Sequence, residues 1–120
     1  MKTVLAVDDS ITMRQMVTFS LGGAGYRVIE ASDGDEALEI AKRQAVDLVI
    51  TDLNMPRMDG ITLIRELRAL VEHRCTPIVM LTTESAQEKK VEGQAAGATG
   101  WIVKPFQPEQ IVKVVKRVLA

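Results

Sequence analysis

The sequence predicts a doubly wound α/β sandwich, flavodoxin-like in plan, with five parallel strands in one sheet and five helices divided between its faces. Two observations carry this reading. Five short apolar runs rich in β-branched residues recur along the 120-residue chain, and segments of helical spacing separate them. Most of the runs are apolar at successive positions, as strands covered on both faces require, rather than alternating as a half-exposed strand would.

The runs are Thr3 to Val7, Arg27 to Glu30, Asp47 to Thr51, Pro77 to Leu81 and Gly100 to Val103. Ser10 is placed to cap the first helix, whose Met13, Met16, Val17 and Leu21 share one face, and Gly22-Gly23 is read as its stop. Asp33-Gly34-Asp35 opens the second helix, with Ala37, Leu38 and Ala41 turned inward. Asp59 caps the third, which carries Ile61, Ile64, Leu67 and Leu70. Pro108 sits in the first turn of the last, which buries Ile111, Val112, Val115 and Leu119. The fourth helical segment, Ala86 to Ala96, is weaker. It offers Val91 and small residues, and Gly93 in its interior costs about 1 kcal/mol relative to Ala. It is expected to be the least firmly docked element.

Composition narrows the function. The length suits one domain spanning residues 1–120. Hydrophobic residues make up 47% and aromatics only 3%, so the core must be Val, Ile, Leu, Ala and Met. A formal charge of −1 argues against non-specific binding to nucleic acid or an anionic membrane. The lone cysteine, Cys75, forms no intramolecular disulfide, suits a reducing cytosol, and is expected to pack near the start of the fourth strand. The apolar run after Met1-Lys2 stops at Asp8, too short to span a bilayer, so a cytoplasmic protein is expected. His73 lies in a polar stretch and is read as solvated, while Met55 and Met58 are read as an adaptable docking surface.

In doubly wound sheets ligands sit beyond the carboxyl ends of the strands, where strand order reverses. There the first strand is followed by Asp8-Asp9, the third by Asp52, the fourth by Thr82-Thr83 and the fifth by Lys104-Pro105. Singly, each has an ordinary reading as a loop or surface residue. Together, three carboxylates without a cation would repel or hold a proton, so a metal is expected among them. An all-oxygen donor set suits Mg²⁺. Magnesium beside a Lys and a Thr equips a site for phosphoryl transfer, and a carboxylate can be the nucleophile.

The stretches AVDDS, TDLNMPRMDG, MLTTES and WIVKPF resemble, in order and across essentially the whole chain, the signature blocks of the response-regulator receiver family, and within it the CheY-like single-domain chemotaxis regulators. The resemblance implies the strand order 2-1-3-4-5. It also implies that Asp52 accepts a phosphoryl group from a sensor histidine kinase, with Mg²⁺ held by Asp9, Asp52 and the main-chain carbonyl of Asn54, and by Asp8 through water. Thr82 and Lys104 would then bind phosphoryl oxygens, and Lys104-Pro105 would be cis. Asn54 and Glu84 would tune dephosphorylation. Trp101 stands where the family usually has Tyr or Phe, the aromatic that turns inward with Thr82.

The function so implied is a monomeric switch with no lasting enzymatic turnover. It acts on a downstream protein such as a flagellar motor switch component. The alternative is a phosphorelay receiver passing its phosphoryl group to a histidine phosphotransfer protein. A haloacid-dehalogenase-type phosphatase would place its nucleophile in a DxD arrangement after the first strand and carry a cap. A flavin-binding domain would not line its phosphate site with acids.

Overall fold

In the computed structural model, which describes residues 1–83 and 87–120, strands and helices alternate as the apolar runs require. The elements are β1 (Thr3–Val7), α1 (Ile11–Gly23), β2 (Arg27–Ala31), α2 (Gly34–Arg43), β3 (Leu48–Asp52), α3 (Gly60–Ala69), a 3-10 turn (Val71–His73), β4 (Ile78–Thr83), α4 (Gln87–Ala96), β5 (Gly100–Lys104) and α5 (Pro108–Val118). The strands pair in parallel in the order β2-β1-β3-β4-β5. Chain order reverses at β1, which lies between β2 and β3, so the crevice expected of this topology opens beyond the ends of β1 and β3.

β1 and β3 are buried at every position. The edge strands β2 and β5 are partly exposed, since each has a neighbour on one side only. Alternation along the inner strands feeds two cores. Leu5, Val7 and Val49 point to one face and pack with Ala37, Ala41, Leu63, Ile64 and Leu67. Val4, Ala6, Leu48 and Ile50 point to the other and pack with Val17, Leu21, Ile111 and Val115.

The predicted caps form. Side-chain oxygens of Ser10, Asp33 and Asp59 accept the amides of Met13, Glu36 and Thr62 at 3.2, 2.8 and 2.8 Å. Asp47 lies just outside β3 and accepts the Thr3 amide at 2.7 Å, tying the starts of β1 and β3. α1 ends at Gly23, as expected, although neither Gly22 nor Gly23 takes the left-handed conformation. The left-handed residue is Gly25, at φ 97°, beyond the helix.

Three further expectations are corrected. His73 is buried, 2% exposed, because both ring nitrogens have partners: Nε2 lies 2.8 Å from the Ala41 carbonyl and Nδ1 3.0 Å from Thr76 Oγ1. Cys75 is exposed, lying in the turn before β4 rather than packed beside the strand. Met55 and Met58 pack against the core beneath α2 and α3 instead of forming a free surface. Met13 and Met16 do pack inward.

The weak fourth helix is present from Gln87 among the described residues, with Val91 58% exposed and Gly93 its buried residue. Gly93 is more than a cost in propensity. A Cβ there would run into the sulfur of the fully buried Met80, so glycine is what lets α4 approach β4. Gly60 is the less forgiving position, because its nearest contact is backbone rather than a side chain. Its Cβ would run into the Asp52 carbonyl oxygen and lie 2.9 Å from Leu53 Cα.

Gly60→Ala should therefore cost about 1–3 kcal/mol in urea unfolding, as overpacking against backbone does. Gly22→Ala meets nothing within 4 Å in the last turn of α1 and should gain about 0.5–1 kcal/mol. Equal effects would mean that the contact between Gly60 and the Asp52 strand end is not tight.

Candidate functional site

Parallel pairing of β1 with β3 brings Asp8 and Asp9 alongside Asp52, and one carboxylate oxygen from each lies within 4.8 Å of the others. Asp8 and Asp52 are buried, while Asp9 is exposed. Asp52 Oδ1 accepts the Leu53 amide at 2.9 Å and the Lys104 ammonium at 2.9 Å. The same ammonium stands 3.7 Å from Asp8 Oδ2, beyond hydrogen-bond reach. Asp8 Oδ1 accepts the Ser10 amide at 2.9 Å, but Oδ2 is buried without a hydrogen-bond partner among the described residues.

The electrostatics follow from that crowding. Three carboxylates face one nearby ammonium. The Asp8 carboxyl is raised above its ordinary 3.8, first by burial and further by the charges of Asp52 and Asp9, against the lowering effect of the Ser10 amide and Lys104. A buried carboxylate oxygen without a donor, beside two more carboxylates, fits a hard divalent cation with oxygen ligands. The donor set therefore fits Mg²⁺.

Thr82, from β4, is buried at 4% exposure, and among the described residues its hydroxyl makes a long contact, 3.4 Å, to the Thr83 carbonyl. Asn54 is exposed just past Asp52. Both residues wall a small pocket of about 90 Å³ together with Asp52, Lys104 and Lys89. Trp101 points outward, 40% exposed, with the Lys90 ammonium 5.7 Å from its ring centroid. Lys104-Pro105 is cis. Glu84 lies outside the described residues.

Several supporting residues escaped the sequence reading because their partners are remote in the chain. Arg14 donates to the Asp8 carbonyl at 2.7 Å and pairs with Glu30 at 3.2 Å. Arg57, in the left-handed region at φ 67°, pairs with Asp33, the cap of α2, and so pins the loop after β3. Lys89 enters the pocket wall from α4, an element read as weak and not as part of the site.

Residues 4–116 match the response regulator receiver domain family. The chain belongs to that family. As such it is a receiver domain of a two-component response regulator. The CheY4 chemotaxis protein of Vibrio cholerae is 53% identical, superposes with a TM-score of 0.95, and matches over 99% of both chains. The transcriptional regulatory protein SrrA of Staphylococcus aureus is 40% identical over 116 residues, 97% of this chain and 47% of that protein. The chain thus spans about half the length of the curated relatives it matches. The receiver domain of the sensor histidine kinase PA1611 from Pseudomonas aeruginosa is 30% identical with a TM-score of 0.91 over 98% of this chain and 97% of that one, and its structure holds a magnesium ion coordinated in the active-site cleft. Among the described residues no helix is long and apolar enough to cross a membrane.

Asp8 binds a proton more tightly in the folded receiver than its ordinary 3.8 allows. Without metal, its contribution to stability must fall as pH rises from that value through the raised one. Mg²⁺ affinity should rise over the same window, because a carboxyl that loses its proton attracts a nearby cation more strongly. Asp8→Asn removes the charge, keeps an acceptor for Ser10, and should raise the metal-free stability by about 1 kcal/mol while weakening Mg²⁺. Isothermal titration and urea unfolding across acidic pH check both. An Mg²⁺ affinity flat over that range would refute the linkage.

Proposed function

We propose that this receiver is a phosphorylation-controlled binding switch, with Asp52 as the residue that takes the phosphoryl group. The observation that carries the proposal is the convergence of Asp8, Asp9 and Asp52 with Lys104 and Thr82 at the edge where β1, β3, β4 and β5 end. An oxygen of the Asp52 carboxylate attacks the phosphorus of a phosphohistidine on a sensor kinase. The P–N bond breaks, and its electron pair returns to the imidazole. Lys104, already bonded to Asp52, neutralises one developing oxygen charge, and the Thr82 hydroxyl turns from its long contact to bond another. Asp9, Asp52 and the Asn54 carbonyl would hold Mg²⁺, with Asp8 reaching it through water. The ion, when bound, supplies positive charge that offsets the negative charge gathering on the phosphoryl oxygens.

The output reading is a chemotaxis regulator whose target is a protein such as a flagellar motor switch component. Its support is the match to CheY4 over nearly the whole of both chains. A receiver within a transcriptional regulator is the second reading, favoured by the SrrA match. Asn54 and Glu84 would shape access of the hydrolysing water to the phosphoryl group. Trp101 would act as the switch aromatic, its ring leaving solvent as Thr82 is drawn toward the phosphoryl oxygens.

Acetyl phosphate with Mg²⁺ should add one phosphoryl group, read by intact mass, and Asp52→Asn should accept none. Undiminished labelling of Asp52→Asn would remove the central assignment. Trp101, the single tryptophan, should become less accessible to acrylamide with beryllofluoride and Mg²⁺, and stay unchanged with Mg²⁺ alone. Emission indifferent to activation would make Trp101 a fixed surface aromatic. A pull-down with the beryllofluoride form should retain the flagellar switch protein. Its failure to do so, with labelling intact, would favour the transcriptional reading.

A further inference from the structure

The pocket at Asp52 is walled by two lysines of different standing. Lys104, from the end of β5, is half-buried and bonded to Asp52 at 2.9 Å. Lys89 comes from α4 and is exposed. Its charge also reaches Asp59, the cap of α3, whose carboxyl is held below its ordinary value first by the Thr62 amide and in part by Lys89. Lys89 thus stands between an exposed carboxylate and the site, on the α-helix with the fewest buried residues among those described.

Charge counting shows what Lys89 adds. Before transfer, the three carboxylates carry −3, and Mg²⁺ with Lys104 carries +3. Esterifying Asp52 removes one carboxylate charge and adds about −2 on the phosphoryl oxygens. The site then holds about −4 against +3. It is short of one cation, and Lys89 is the remaining lysine in its wall.

We propose that Lys89 is the second phosphoryl-binding cation of this receiver, drawn into the pocket when Asp52 is phosphorylated and carrying the start of α4 with it. The inference rests on the reading of Asp52 as the acceptor and extends it with a residue and a coupling. Small acyl phosphates, which bring their own negative charge to the pocket, gain from the same ammonium on approach. Movement of α4 is transmitted to Trp101, because the neighbouring Lys90 lies over the indole.

The test compares wild type, Lys89→Gln and Lys89→Arg for the rate of phosphorylation by acetyl phosphate with Mg²⁺, at low and high salt. Lys89→Gln should slow labelling about three- to fivefold at low salt, the scale of one partly screened charge pair. Lys89→Arg should retain most of the rate, and the gap should close at high salt. Isothermal titration should find Mg²⁺ binding to Lys89→Gln unchanged or slightly tighter, since removing a cation cannot repel another. The Trp101 response to beryllofluoride should shrink in Lys89→Gln. An unchanged rate, a gap that persists at high salt, or a loss of Mg²⁺ affinity in step with the rate would each overturn the role of Lys89. Wild type that takes no phosphoryl group would overturn the reading of Asp52 and this inference with it.

Discussion

Three carboxylates are held against one ammonium at the carboxyl edge of the sheet, and the rest of the structure answers to that imbalance. Asp8 is almost wholly buried, with one oxygen that has no hydrogen-bond partner among the described residues, which costs stability in any isolated fold. The fold tolerates it because the strands that carry the acids are among the most buried elements. β1 and β3 are covered on both faces, and their side chains feed both cores at once. Moving Asp8 away from Asp52 would mean moving strands whose burial outweighs one strained carboxylate. The repulsion is thus retained, and a divalent cation or a shared proton would relieve it. Stability in the sheet is what permits instability at its edge.

The loops around the acids are restrained in a matching way. Arg57 adopts a left-handed backbone that non-glycine residues seldom take, and its pairing with Asp33 holds the loop after β3 against the start of α2. On the other side, the start of α3 presses so closely on the Asp52 carbonyl that only glycine fits at position 60. Arg14 holds the Asp8 carbonyl from α1. The backbone presenting the carboxylates is therefore braced from α1, α2 and α3. Among the described residues α4 supplies no such brace. It buries Gly93 against Met80 and leaves Val91 in solvent, although Arg68 ties its far end by donating to the Gly97 carbonyl at 2.8 and 3.0 Å.

What could be read in the sequence follows from how local each signal is. The inner strands were legible because burial on both faces forces an unbroken apolar run, and the caps because Ser10, Asp33 and Asp59 act three residues from their partners. The acids and Lys104 were legible because strand ends in a parallel sheet share one edge. The exposed edges β2 and β5 blurred the same rule. His73 was misread because its partner Ala41 is 32 residues away, and a polar neighbourhood in sequence does not report burial in space. Gly93 was read as a propensity cost, since nothing local reveals Met80 beneath it. Arg57 and Lys89 carried no spacing that could tie them to Asp33 or to Asp52.

The layout of β4 shows how a change at the edge can reach a surface. Side chains two apart on a strand share a face, so Thr82 points the same way as Met80. Met80 is the residue that meets Gly93 of α4, and its partner across the ladder is Trp101 of β5. Thr82, at the pocket, Met80, under the helix, and Trp101, at the surface, therefore form one row on one side of the sheet. The row ends at α4, whose buried residue among those described is Gly93, and at a partly exposed aromatic. A fraction of a kcal/mol per contact is enough to shift such a helix, whereas the braces on α1, α2 and α3 each add a hydrogen bond, an ion pair or a steric contact that would have to yield. A perturbation at Asp52 and Thr82 thus meets less resistance toward α4 and β5 than toward α1, α2 and α3, which are held to the backbone of the site itself.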